Sequence, residues 1–294
     1  MTAVLVSGGT GLVGRYIVED LVAHGYRVKI ASRYPPLAGL FAHEIEHVPL
    51  TLDPEADQAH IFDDVYYFVH AAFSHLPGRY RGGEGDDPAG FRRVNLEATT
   101  TLFEAARTAG ISRCVFLSSR AVYDGVQDRR PLSEGAVLAP TSLYGVIKLL
   151  AEQVLSNMTQ PGFSGSSLRV TGVYGNLRPN KWDQMITDYL NGVHIPPRAG
   201  SEVHGRDVAA AVRLMLETES GKVAGEVFNV SDIVADTRDI LEHVQYATGS
   251  HNALPQPADK TSVRAMTTDK LRALGWQPGG LALLSETVTK LASS

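Results

Sequence analysis

Residues 4–15 read VLVSGGTGLVGR, an apolar run that ends in a serine and enters a loop carrying Gly8, Gly9, Gly11 and Gly14. Few chain paths need this. A strand must turn sharply into a helix, the helix must pack close on the strand, and bare backbone must approach something at the turn. The helix N-terminus then offers free N–H groups to an anion. A glycine triplet alone is a weak signal, but its position after the first strand and before the first helix is the context in which such a loop holds a pyrophosphate. Gly8, Gly11, Leu12, Val13 and Gly14 are therefore the expected dinucleotide contacts.

The rest of the chain repeats the alternation. Short runs rich in β-branched residues stand at 3–7, 27–32, 65–72, 113–119, 166–172 and 226–231, with helical patterns at 12–24, 91–109, 142–157, 205–219 and 236–248. Continuous apolar strands suit a parallel sheet covered on both faces. Gly25 and Gly110 stand where left-handed helix caps belong. The fold class expected is α/β, a doubly wound parallel sheet of the Rossmann kind with a smaller C-terminal substrate-binding region. Residues 1–170 would form the NAD(P)-binding domain. Residues 171–294 would serve mainly the substrate, with segments near 205–231 returning to the first core. Loops are expected at 77–90 and 178–183.

Composition excludes several classes. The 294 residues carry a formal charge of −5, which gives no long-range attraction to nucleic acid or an anionic membrane. No apolar stretch approaches the ~18 residues of a membrane span, and the N-terminus lacks a signal-peptide pattern. One cysteine, Cys114, lies in the strand run CVFLSS and reads as a buried core residue, which suits the cytosol. At the end of the second strand, where an NAD-binding unit usually places an acid, the chain reads IASRYP. Ser32 and Arg33 there favour a 2′-phosphate, so NADP(H) is expected over NAD(H), with NAD the alternative.

The run SLYGVIKLLAEQ sets Tyr144 and Lys148 four positions apart on a helix. Such pairs are commonplace, and spacing alone leaves ordinary neighbours and an acid–base device both open. Together with the glycine loop, the strand end FVHAAF, the segment VNLEATTTLFEAARTAGISRCVFLSSRAVY, and LRVTGVYG, VHGRDVAAAV and GEVFNVSD in the same order, the sequence resembles the extended short-chain dehydrogenase/reductase family, the NAD-dependent epimerase/dehydratase group.

The resemblance implies an enzyme that moves a hydride between nicotinamide and a secondary alcohol or ketone, with sugars and nucleotide-sugars among the substrates it admits. It implies Ser119, Tyr144 and Lys148 as the catalytic set. A free phenol titrates near pH ~10, so the lysine ammonium would favour the phenolate, and Lys148 would also bond the nicotinamide ribose while Ser119 polarises the substrate oxygen. It further implies Leu52, Ala71, Ala72 and Val170 beside the cofactor with Tyr144 and Lys148, and Phe73, Arg120 and Thr171 toward a small-molecule substrate. A homodimer through 91–109 and 142–157 follows by analogy.

Three departures stand out. Gly172 occupies a position where sugar-nucleotide members often carry asparagine, Gly200 one where they often carry a diphosphate-clamping arginine, and Thr51 the place of an acid. Tyr66, Tyr67 and Phe68 read as strand core, and His70, His75 and His204 as structural residues rather than metal ligands. Trp182 reads as a pocket residue or a loop anchor. A cofactor-sensing protein without catalysis is the rival reading. Retention of all three catalytic residues argues against it.

Overall fold

A computed structural model describes residues 1–76, 82–127 and 130–293. The expected loop at 77–90 lies partly outside the described residues, at 77–81. Among the described residues seven strands form one parallel sheet: β1 (Ala3–Ser7), β2 (Arg27–Ser32), β3 (Glu46–Pro49), β4 (Tyr67–His70), β5 (Arg113–Ser119), β6 (Ser164–Val170) and, late in the chain, Val227–Val230. Their order is β3-β2-β1-β4-β5-β6 followed by the late strand, so the chain winds outward from β1 in one direction and from β4 in the other. That reversal opens a crevice at the carboxyl ends of β1 and β4, the place where open α/β sheets bind ligands.

The first strand shows why the sheet is two-sided. Val4 and Val6 pack into the cluster made with Ile17, Val18 and Leu21 of α1 (Leu12–Ala23), while Leu5 between them packs with Phe68, Phe103 and Ile147 on the other face. Alternate side chains of a strand point to opposite faces, so a run buried on both must be apolar throughout. The second face is covered by α2 (Pro88–Arg92), α3 (Ala98–Thr108) and α4 (Leu143–Met158). Gly25 and Gly110 take left-handed conformations, φ 81° each, after α1 and α3.

A smaller three-stranded sheet joins β7 (Gly172–Tyr174), β8 (Ala199–His204) and, beyond the late parallel strand β9 (Val227–Val230), β10 (Ile233–Asp236). It packs with α5 (Asp183–Leu190), α7 (Thr237–Thr248) and the last helix, Gly280–Ser293, around Tyr174, Trp182, Ile186, Tyr189 and Leu284. Helix α6 (Gly205–Glu217) and β9 instead pack into the first core through Val208, Val212, Phe228 and Val230.

The structure corrects several boundaries. The expected helix at 91–109 begins at Pro88 and is interrupted by a π turn at Arg93–Glu97. There the Thr99 and Thr100 hydroxyls bond the carbonyls of Asn95 and Leu96, 2.7 and 2.9 Å, taking up acceptors that the widened turn releases. The strand expected at 166–172 runs from Ser164 to Val170, and Gly172 opens a separate strand. Tyr66 is not core: β4 starts at Tyr67, and Tyr66 lies 51% exposed at the sheet's rim against Tyr67. Cys114 is buried, and burial pushes its thiol well up.

Candidate functional site

The glycine loop closes the crevice floor. Gly8 has φ 71°, and a Cβ at Gly14 would lie 2.1 Å from the Gly8 carbonyl, so no larger residue allows α1 to start this close to β1. Gly11 caps α1 without any side-chain hydrogen bond to the helix end, and its own Cβ position meets only the Gly8 oxygen, at 3.3 Å. The turn thus presents bare backbone and the first-turn N–H groups of Leu12 to Gly14. These residues fit a pyrophosphate. The opposite wall is the end of β4, where Ala71 N–H donates to the Ser7 carbonyl at 3.1 Å and Ala72 packs against Gly8.

Beyond β2, the Ser32 hydroxyl donates to the Tyr34 carbonyl at 2.8 Å, which curls the chain and leaves Arg33 exposed at the crevice's outer end. The Leu50 N–H donates to the Ser32 carbonyl, and Leu52 follows, partly buried. No carboxylate follows the strand; Arg33 stands there.

The other half of the site is carried by α4. Ser142 caps this helix by accepting from Gly145 N–H at 3.1 Å. A Cβ at Gly145 would lie 2.7 Å from the Ala121 carbonyl, so the helix presses directly on the turn that follows Ser119. Ser119 ends β5 and accepts from Ala121 N–H at 3.1 Å. Its Cα pairs with that of Val170, the end of β6. Tyr144 is half-buried and meets Phe73 edge to face, 5.0 Å between centroids.

Lys148, one turn on, is buried with its Nζ donating to the Leu117 carbonyl at 2.7 Å. The ammonium sits 4.5 Å from the Phe73 ring centroid, 4.6 Å from Phe116 and 5.9 Å from Tyr144. Aromatic faces partly replace the water it has lost. Burial still draws it down to about 7, with the Glu152 carboxylate pulling the other way. A phenol and an ammonium thereby stand one helical turn apart on a helix that presses on the turn after Ser119, at the carboxyl end of β5. Such a set can pass a proton to or from a substrate oxygen.

His70, just beneath, is packed at a strand end as its position suggests, stacked 5.8 Å from Phe116. Its Nδ1 lies 2.7 Å from Ser7 Oγ and its Nε2 3.0 Å from Thr99 Oγ1. Because the Thr99 proton is donated to the Asn95 carbonyl, His70 donates through Nε2 and accepts through Nδ1. Burial, with the Lys148 charge nearby, lowers it to about 3, so it stays neutral.

The substrate-side candidates fare differently. Phe73 lines the Tyr144–Lys148 corner. Thr171 is buried and donates to the Ser201 carbonyl at 2.9 Å, so its hydroxyl faces the small sheet. Arg120 donates to the Arg264 carbonyl at 3.0 Å and lies 3.9 Å from Asp124, tied to the C-terminal segment. Trp182 is buried against Tyr174, at 5.2 Å, and anchors the small core.

Three features escape sequence reading. Asn95 accepts from Ser74 N–H at 2.7 Å and donates to the Ser74 carbonyl at 2.8 Å, clamping the loop after β4. Glu152 forms a fork with Arg169 (2.7 Å at its shortest), accepts from Ser118, and connects through Arg169 to Tyr123 (2.7 Å) and on to Asn229 (2.8 Å). Glu202 bonds Lys181. Glu152 was findable, since it continues the face of Tyr144 and Lys148 by a further turn. Among the described residues no helix is long and apolar enough to cross a membrane, and no group of three or more His, Cys, Asp or Glu is set to hold a metal ion.

Comparison with known proteins places this arrangement. The family model described as the NAD dependent epimerase/dehydratase family matches residues 4–231. A UDP-glucose 4-epimerase of Corynebacterium glutamicum is 28% identical over 93% of this chain and 90% of its own length. A 3-beta-hydroxysteroid dehydrogenase of Mycolicibacterium neoaurum is 30% identical over 68% of this chain, but the match spans only 55% of that protein. The crystal structure of a UDP-glucose 4-epimerase of Thermus thermophilus in complex with NAD superposes with a TM-score of 0.80 at 25% identity, covering 100% of this chain and 99% of that one. The chain belongs to the NAD dependent epimerase/dehydratase family and is an enzyme of the extended short-chain dehydrogenase/reductase type.

Proposed function

We propose that this chain catalyses hydride exchange at a secondary alcohol or ketone carbon of a sugar, free or nucleotide-linked, with Tyr144 as general acid/base. The bound nicotinamide supplies or accepts the hydride. Tyr144 moves the proton at the substrate oxygen, Ser119 holds that oxygen by its hydroxyl, and Lys148 lends positive charge that favours the phenolate. Gly8, Gly11, Leu12, Val13 and Gly14 would hold the dinucleotide, together with Ala71, Ala72 and Val170, and Leu52 would serve its adenine side. Residues from 171 on shape the substrate's side of the crevice, and Phe73 closes its inner corner.

The observation that supports this reading most is the corner itself: a phenol that meets Phe73 edge to face and an ammonium over the same ring, one helical turn apart at the end of β5. Tyr144→Phe keeps that packing and removes only the hydroxyl. Turnover should fall by ~100-fold or more, followed by reduced-nicotinamide absorbance with nucleotide-sugars and simple ketones, while cofactor affinity stays unchanged. Undiminished turnover would sink the assignment.

The cofactor proposed is NADP(H), because Ser32 and exposed Arg33 stand where an NAD enzyme would carry an acid. The solved relative above binds NAD, so the preference belongs to this chain's own residues. A cytosolic homodimer through α3 and α4 is the assembly proposed. An open groove between these helices, lined by Leu96, Thr101, Leu150 and Val154, supports it. A monomer by sedimentation would remove that assembly.

A further inference from the structure

The two glycines that depart from the family's pattern, Gly172 and Gly200, lie under one side chain. Gly172 opens β7, next to Thr171 and the carboxyl end of β6, and pairs with Glu202 on β8. Its backbone is exposed. A Cβ there would lie 2.8 Å from Glu202 Oε2 and 3.1 Å from Cδ, and a Cβ at Gly200 would lie 3.8 Å from Oε1. The carboxylate therefore occupies the space that a side chain at position 172 would need, and lies in ordinary contact with where one at 200 would begin. An asparagine at 172 and Glu202 in this pose exclude one another.

Glu202 is fixed there. Lys181 Nζ bonds Oε2 and sits 5.1 Å from the ring of Trp182, itself buried in the small core. Burial pulls Lys181 down and pushes Glu202 up, and the field of nearby Arg198 acts on both. A carboxylate only accepts hydrogen bonds, and an ammonium has three to donate, so the pair retains both a free acceptor, Oε1, and further donors. A hydroxyl can use both at once. A phosphate, itself an acceptor, would meet Oε1 at like charge and would compete with Glu202 for the ammonium.

We propose that Glu202, held by Lys181 over Gly172 and Gly200, determines specificity: at this wall the crevice admits a neutral, hydroxyl-bearing group and disfavours a diphosphate. The proposal rests on the reading that hydride exchange takes place in this crevice. It deepens that reading, because it points to a substrate that carries its hydroxyls, rather than a nucleotide diphosphate, against β7 and β8.

The test is calorimetric titration of UDP into the full chain loaded with NADP, comparing the parent with Glu202→Gln and Lys181→Met. Glu202→Gln is isosteric and removes one negative charge beside the anion, so UDP should bind fivefold tighter or more. Lys181→Met should weaken it by at least threefold. A smaller gain in Glu202→Gln, or no change in either variant, overturns the proposal by showing that the pair does not face the ligand. Weaker UDP binding in Glu202→Gln also overturns it, because Glu202 would then serve only to aim Lys181 at an anion. The titration needs no turnover, so its outcome stands apart from that of Tyr144→Phe.

Discussion

Lys148 is held at a cost that should be measurable as stability. The side chain is 4% exposed, and burial draws its pKa from 10.5 to about 7. At ~1.36 kcal/mol per unit this displacement corresponds to at most about 5 kcal/mol, the price of keeping an ammonium among Phe73, Phe116 and Tyr144. Lys148→Met preserves length and volume, removes the charge, and leaves the Leu117 carbonyl without its donor, which costs about 1–3 kcal/mol. The variant should therefore be more stable than the parent by about 2–4 kcal/mol at pH 6. Below pH 7 folded and unfolded chains both hold the proton and the penalty is complete. Between 7 and 10.5 the unfolded chain holds a proton that the folded chain has shed, so the parent gains stability as pH rises. By pH 9 the variant's advantage should have shrunk by about 3 kcal/mol, to about 1 kcal/mol or less. Urea unfolding of both proteins without cofactor at pH 6, 7, 8 and 9 reads this directly, and turnover should fall in the same variant that gains stability. A stability difference that stays constant from pH 6 to 9 would refute the claim that burial governs this lysine.

Two further substitutions probe other parts of the site. Glu152→Gln leaves Arg169 buried without its counter-charge and should lower stability by about 3–5 kcal/mol; Glu152→Gln combined with Arg169→Met should recover most of that in the same urea assay, and a single variant as stable as the parent would show that the fork contributes nothing. Arg33→Ala should weaken NADP binding about 10- to 100-fold, the worth of a charge-assisted hydrogen bond to phosphate, and leave NAD binding unchanged. Equal calorimetric losses for both dinucleotides would place Arg33 on a shared part of the cofactor instead of the 2′-phosphate.

What could be read before the fold was known follows a physical division. β1, β2 and β5 were legible to the residue because each carries a β-branched or aromatic apolar run with a polar residue at its end: Ala3–Ser7 is apolar up to its serine, while Arg27–Ser32 and Arg113–Ser119 start on an arginine and close on serine. The beginning of β6 was not, because the two residues that precede the expected start at 166 are Ser164, a buried polar residue, and Gly165, and neither fits a hydrophobic pattern. The strands of the small sheet are three to six residues long and mix glycine with charge, so nothing local marks them; Gly172–Tyr174 becomes a strand only because Ala199–His204 returns beside it. The site divides in the same way. The glycine loop and the Tyr144–Lys148 pair are local devices, a turn and a helical repeat, and their spacing is written in neighbouring residues. Glu202 over Gly172 is a contact across thirty residues, and its sequence trace is a double absence: two glycines where longer side chains would stand. An absence acquires meaning only when the structure shows what has moved into the space, and here that is a carboxylate with its lysine. The chemistry proposed for this chain was therefore legible in its local motifs, whereas the Glu202–Lys181 pair over Gly172 is a long-range contact that a linear pattern does not encode.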